Sequence, residues 1–89
     1  MNIYLTTQIL KENDVFIAYA PELDISSCGR NPDEAAKNLR EAVELFIETA
    51  MEQGTLQDIL EECGFSETGS YWKGPEIISS ESLQLSMPA

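Results

Sequence analysis

A capped amphipathic helix is the feature that most restricts how this chain can fold. In the run Asn31-Pro32-Asp33-Glu34, an asparagine suited to capping precedes a proline, which is favoured at the first helical position. Glu34 stands three residues after Asn31, so its side chain can reach back to the cap. At about 100° per residue, the apolar side chains that follow share one arc: Ala35, Ala36, Leu39, Ala42, Val43, Phe46, Ile47 and Ala50. The sequence therefore predicts a helix that begins after Asn31, buries one face and ends at Gly54.

The residues before this helix have the patterns of three short strands. Residues 2–10 alternate between two sides, which is typical of a strand with one buried face. Residues 15–20 are apolar on both sides and follow a polar run that suits a turn, so they predict the second strand of a hairpin. Pro21 ends that pairing, and residues 25–28 predict a third strand that ends at Gly29.

The residues after the long helix predict one more helix and one more strand. Thr55 is the expected cap of a helix from Leu56 to about Cys63, closed by Gly64. Tyr71 and Trp72 are expected to anchor a loop to the core. Residues 82–87 alternate strictly between polar and apolar, which predicts a fourth strand.

Together these elements predict an α+β fold of order β-β-β-α-(α)-β. It consists of a three-stranded antiparallel meander, a crossover helix and a final strand, and a right-handed crossover would make the last strand parallel to the first. The 89 residues suffice for one domain, with a core in residues 1–64 and a loop and last strand in residues 65–89. Without a basic leader or a long apolar run, we expect a cytoplasmic protein with no membrane contact.

Charge restricts the possible partners of this chain. Sixteen acidic residues against five basic ones give a net charge of −11. This balance disfavours binding to nucleic acid or anionic lipid and favours a basic partner. Residues 31–64 contain nine acidic and two basic residues, so the helical segment carries most of the negative charge.

The residue types present also argue against catalysis. The chain has no histidine, the commonest general base and zinc ligand. Cys28 and Cys63 lie far apart in the sequence, so we expect them to be two ordinary reduced thiols. The predicted first and third strands contain no acidic residue, whereas a two-metal nuclease needs carboxylates that project from its strands. Glutamates at intervals of three and four are typical of a solvated helix face. We therefore predict a protein that is not an enzyme, with no catalytic residue, metal site or cofactor.

Several motifs, in their order along the chain, resemble the HicB-like antitoxin family. The run Pro21-Glu22-Leu23 is followed by Gly29 and then by the capped helix. Within this helix, the residues that match the family pattern are Glu34-Ala35, Asn38-Leu39, Glu41-Ala42 and Leu45. The resemblance covers about residues 1–52 and implies a partial ribonuclease H-like fold, the same topology that the periodicity predicts. Many members add a C-terminal DNA-binding domain. Only about 24 residues follow Phe65 here, so we expect no direct nucleic-acid binding.

This resemblance implies a non-enzymatic antitoxin that binds and masks a small basic ribonuclease toxin of the HicA type. The candidate partner-binding residues lie on the acidic side of the helix and in the loop after Pro21: Glu22, Asp24, Glu41, Glu44, Leu45 and Glu48. Three alternatives stay open: a merely solvated acidic face, a stand-alone oligomeric scaffold or small-ligand sensor with no toxin, and a degenerate metal-dependent nuclease. We also expect self-association into a homodimer or larger oligomer, because the core is small and strand edges are exposed.

Overall fold

Two helices and six strands make up the fold in the computed structural model, which describes residues 1–88. In chain order they are β1 (Asn2–Ile3), β2 (Gln8–Glu12), β3 (Val15–Ala20), β4 (Ile25–Gly29), α1 (Pro32–Glu52), α2 (Leu56–Glu62), β5 (Ser66–Thr68) and β6 (Tyr71–Lys73). The chain is α+β, as predicted, but its strands form two three-stranded sheets, β2-β3-β4 and β1-β6-β5. Neither helix of this described part has the length and apolar run that crossing a bilayer requires.

The antiparallel meander predicted from the sequence is confirmed in β2, β3 and β4. β2 and β3 are joined through Asn13, whose φ of 57° lies in the left-handed region that asparagine tolerates. Ala18 and Ala20 of β3 are fully buried on the side that faces α1. Leu10 pairs with Ile17 on the opposite side of the sheet, and Leu10 remains 49% exposed. One face of the meander is therefore covered by the helix and the other is open.

The predicted first strand is broken, so residues 2–10 do not form one continuous strand. Pro21 follows β3 and has no N–H with which to extend the ladder. The carboxylate of Glu22 takes over this position, accepting hydrogen bonds from the Thr6 N–H at 3.0 and 3.1 Å and from Thr6 Oγ1 at 2.6 Å. Thr6 is thus held by a side chain rather than by a neighbouring strand, and residues 4–7, which belong to no strand, separate β1 from β2.

The capped helix is confirmed as α1, which begins at Pro32. Asn31 Oδ1 accepts a hydrogen bond from the N–H of Glu34 at 2.8 Å. The Glu34 carboxylate extends past the cap, because its Oε1 lies 3.4 Å from the N–H of Arg30. All side chains of the predicted apolar arc are buried or half-buried. Of the four that are buried, Ala35, Leu39 and Val43 share a core cluster with the meander, and Ala50 lies beside α2.

The first turns of α1 lie unusually close to β4. A Cβ added to Gly29 would stand 2.5 Å from the Ala35 nitrogen and 2.8 Å from the Glu34 carbonyl carbon, so only glycine allows this approach. Farther along the helix, Asn38 Nδ2 donates a hydrogen bond to the Cys28 carbonyl at 2.8 Å. The close contact at Gly29 and the hydrogen bond from Asn38 together set the position of α1 on the sheet.

The second helix and second sheet cover the far end of the core. α2 ends one residue earlier than predicted, and Thr55 does not cap it, since Thr55 Oγ1 instead donates to the Ala50 carbonyl at 3.4 Å. Leu60 of α2 is buried, as is Phe65 just before β5. Trp72 packs against this core from β6, so it belongs to a strand and not to the loop expected from the sequence.

The prediction of a fourth strand at residues 82–87 is wrong, because these residues are exposed and join no sheet. The parallel partner of the chain's first residues is β6 instead, which pairs Asn2 with Tyr71 and Ile3 with Trp72. Gly74 and Pro75 then end β6, and Pro75 has no N–H to continue the ladder.

Replacing Gly29 by alanine tests the close approach of α1 to β4. We expect Gly29→Ala to lower the free energy of unfolding by about 2–3 kcal/mol, because backbone atoms cannot move aside as a flexible side chain can. Urea unfolding followed by circular dichroism measures the change. Ser26→Ala, at an exposed position of the same strand, should shift stability by less than about 0.5 kcal/mol. Equal stability of the two variants would contradict the close approach.

Candidate functional site

Three glutamates follow one another along the solvent side of α1, and we define them as the acidic stripe: Glu41, Glu44 and Glu48. All three are exposed and lie opposite the buried residues of the helix. They span two turns, or about 10 Å along the axis. Leu45 lies among them and is 64% exposed. The structure thus brings together four of the six residues predicted to bind a partner.

One carboxylate of the acidic stripe is paired within the chain. Arg40 Nε lies 3.0 Å from Glu44 Oε1, and both side chains are largely exposed. An exposed pair four residues apart on a helix contributes only about 0.3–0.5 kcal/mol, so a partner can displace it at low cost. The spacing of four residues between Arg40 and Glu44 is the sequence signal that identifies this pair.

Leu45 belongs to an apolar groove between α1 and α2, which we name the Leu45 groove. Its volume is about 350 Å³. The lining residues are mostly apolar: Ala42, Leu45, Phe46, Thr49, Ala50, Gln53 and Ile59. Glu41 and Glu48 are within about 60° of Leu45 around the helix axis, so the acidic stripe borders this groove along one side. Sequence periodicity missed the groove because Ile59 reaches it only through the way α2 packs on α1.

The other two predicted partner-binding residues lie away from the acidic stripe. Glu22 and Asp24 are in the connection between β3 and β4, whereas the acidic stripe is on the side of α1 that faces away from the meander. Both Glu22 oxygens accept hydrogen bonds from Thr6. Asp24 Oδ1 accepts a hydrogen bond from the Tyr19 hydroxyl at 2.8 Å. Within the described chain, both carboxylates therefore have structural partners of their own.

The hydrogen bond from Tyr19 to Asp24 also affects the pKa of Tyr19. Accepting this bond, the Asp24 carboxylate raises the pKa of Tyr19 above its ordinary value of 10.0, and partial burial and the negative charge of Asp24 act in the same direction. The stabilisation from this contact is present below the ordinary pKa and is lost as the pH rises through the higher, folded-state pKa.

Two larger grooves lie on either side of residues 3–7, where the first strand is broken. One, of about 590 Å³, includes Tyr4, Thr6 and Glu22 together with residues 73–77. The other, of about 570 Å³, has apolar side chains of α1 along its floor, and its charged lining residues are Lys37, Arg40 and Glu44. Within residues 1–88, no three acidic or cysteine side chains converge as a metal site would require.

Comparisons with protein-family models, with curated proteins and with solved structures find no match for this chain. The relation to HicB-like antitoxins therefore remains a prediction drawn from the sequence motifs. The surfaces that distinguish the molecule are the acidic stripe, the Leu45 groove and the two grooves beside residues 3–7.

Replacing Asp24 by asparagine tests its contact with Tyr19. We expect Asp24→Asn to lower the pKa of Tyr19 towards 10.0, because the neutral amide no longer opposes formation of the tyrosinate. Ultraviolet absorbance of tyrosinate against pH measures this, and subtracting the curve of Tyr19→Phe removes the signals of Tyr4 and Tyr71. Asp14→Asn, a matched change at another exposed aspartate, should leave the curve unchanged. An identical titration of Tyr19 in Asp24→Asn would refute the assignment.

Proposed function

We propose that this protein is a non-enzymatic, antitoxin-like protein that binds and masks a small basic ribonuclease toxin. The observation that carries the proposal is the acidic stripe beside the Leu45 groove. An apolar centre bordered by polar and charged groups is the usual composition of a protein interface. The sign of the charges favours a cationic partner.

Charge distribution supports association from the α1 side of the molecule. Residues 31–64 carry a net charge of −7, while residues 1–30 and residues 65–89 carry −2 each. Such an uneven field raises the local concentration of a basic protein and orients its approach. A ribonuclease that grips RNA phosphates with Lys and Arg exposes a complementary surface, so the acidic stripe would compete with its substrate.

The Leu45 groove supplies an apolar contact surface, which the charges of the acidic stripe do not. Surface charges mainly accelerate encounter, whereas buried apolar contacts hold a complex together. Covering the exposed part of Leu45 stabilises a complex by about 1–2 kcal/mol. Arg40 and Glu44 form only a weak surface pair, so rearranging them on binding costs little.

The sequence resemblance supports the same class of partner. HicB-like antitoxins act on small basic toxins, so the first protein to test is a small basic protein encoded beside this gene. Purifying the two together and then measuring RNA cleavage by the basic protein, with and without this chain, tests the masking directly. Cleavage that is undiminished by an excess of this chain would refute the proposed function.

Removing the charges of the acidic stripe tests its role in steering. We expect Glu41→Gln/Glu44→Gln/Glu48→Gln to slow association with the basic protein by about ten-fold at low salt, with a smaller change in dissociation. Raising the salt towards about 0.5 M should shrink the difference from the unmodified chain, because salt screens exposed charges. Stopped-flow fluorescence at several salt concentrations gives both rates. The fold should survive because all three positions are exposed.

A control with the same change in net charge separates position from total charge. Glu67→Gln/Glu76→Gln/Glu81→Gln removes three exposed carboxylates outside the helical segment. It should slow association much less than the triple change in the acidic stripe. Equal effects of the two triple variants, or no effect of either, would show that the acidic stripe is only a solvated face.

Leu45→Ala tests the groove separately from the charges. We expect dissociation to be about ten-fold faster and association nearly unchanged, since an apolar contact acts mainly after encounter. Because Leu45 is 64% exposed, the monomer should keep its stability. Unchanged dissociation would place the contact surface elsewhere.

The open groove beside Lys37 and Arg40 favours a second candidate function, that of a small-ligand sensor. Its volume of about 570 Å³ is in the range of small-molecule sites. Lys37 and Arg40 lie above an apolar floor and suit an amphipathic anion, which would compete with Glu44 for Arg40. A medium-chain carboxylate such as decanoate distinguishes this function, if it raises the Tm of the unmodified chain but not that of Lys37→Gln/Arg40→Gln.

A further inference from the structure

The C-terminal segment of residues 82–87 has the pattern of a strand but no partner within the described chain. Leu83, Leu85 and Met87 alternate with polar residues and are 81%, 74% and 88% exposed. Pro88 follows directly and, lacking an N–H, would end a strand at this point. An alternating segment of this kind is suited to pairing with the free edge of a sheet.

This segment projects away from the body of the molecule. The radius of gyration is 15.5 Å, whereas a compact chain of this length is expected to have about 12 Å. The longest dimension is 49 Å against 28 and 22 Å for the other two. The segment is thus positioned to contact another molecule rather than its own core.

The two edges of the meander differ in how far α1 occupies them. At β4, the Asn38 side chain donates a hydrogen bond to the Cys28 carbonyl, and α1 packs closely against Gly29. At β2, the residues flanking the two-residue turn exchange backbone hydrogen bonds with β3, so Ile9 and Lys11 direct their N–H and C=O groups outward. No other group within residues 1–88 forms a hydrogen bond with these outward groups. The edge of β2 is therefore fully open, whereas the edge of β4 is partly occupied by α1.

We propose that residues 82–87 of one copy add as a strand to the β2 edge of a second copy, reciprocally, forming a dimer. The lengths match, since β2 has five residues and the segment has six. Within residues 1–88 the segment joins no sheet and its apolar side chains are exposed, which favours a second copy as the partner.

Charge and apolar surface both favour this contact over others between two copies. Each chain carries −11, so most surfaces of two copies repel each other, but residues 82–88 contain no charged residue. Leu10 and Val15 lie on the open face of the meander and are 49% and 45% exposed. In an added strand Leu83 and Leu85 lie on the same side as each other, and the register that puts them on the open side of the meander extends this apolar face.

The dimer does not rest on the proposed toxin binding, since it uses the meander and the C-terminal segment rather than the solvent side of α1. Sedimentation velocity of the full chain over a range of concentrations should show a species of twice 9.9 kDa. Leu83→Ser/Leu85→Ser should raise the dimer dissociation constant by at least about 100-fold. The matched control Gln84→Ser/Ser86→Gln, which alters only the polar side of the segment, should leave it nearly unchanged.

Mixing two defective variants tests the reciprocal exchange. Ile9→Pro removes an outward N–H from the edge while leaving the ladder to β3 intact, and alone it should be monomeric. Mixed with Leu83→Ser/Leu85→Ser, it should form a mixed dimer that is weaker than the unmodified one, because one of the two strand additions is restored. Circular dichroism verifies that the proline variant is folded. If it unfolds, the tail variants alone decide, since their exposed side chains do not stabilise the monomer.

Three results would overturn the proposal. The first is a single species of 9.9 kDa at all concentrations. The second is a dimer whose dissociation constant is the same with Leu83→Ser/Leu85→Ser as without it. The third is a mixture of the folded edge and tail variants that remains monomeric.

Discussion

The contact between Gly29 and the first turn of α1 determines how the rest of the molecule is arranged. Because no Cβ stands between the two backbones, the helix lies close against β4 and its buried line packs on Ala18 and Ala20. The hydrogen bond from Asn38 to the Cys28 carbonyl then holds the helix to the edge of β4. With one side of α1 set against the sheet, its opposite side must face solvent.

That orientation is what makes the acidic stripe available to a partner. Its glutamates sit at spacings where like charges repel each other, and only the surface pair of Arg40 with Glu44 relieves this within the stripe. A basic partner would reduce the repulsion and cover Leu45 at the same time. The physical case for a binding function thus rests on two unlike features in one place, an unfavourable charge arrangement and an exposed apolar groove.

The broken first strand has consequences at the other end of the sheet. Glu22 holds Thr6 by its side chain where a continuous strand would need a backbone partner, and β6 reaches the first residues of the chain only at Asn2 and Ile3. The edge of β2 is left without a backbone partner, and within residues 1–88 the last alternating segment of the chain joins no sheet. The edge of β2 lacks a strand partner and residues 82–87 lack a sheet, so pairing between two copies would supply both.

The sequence by itself determined the local elements whose signals lie within a few residues: the start of α1 at Asn31 and Pro32, the hairpin of β2 and β3, and the buried arc of the helix. It also placed the acidic stripe and Leu45 on one exposed side, because helical periodicity needs no tertiary partner. Only the tertiary structure decided that β6 rather than residues 82–87 pairs with the first residues, and that α2 forms a groove beside Leu45. The physical reason is that alternation makes a segment competent to be a strand, while a backbone partner within reach decides whether it becomes one.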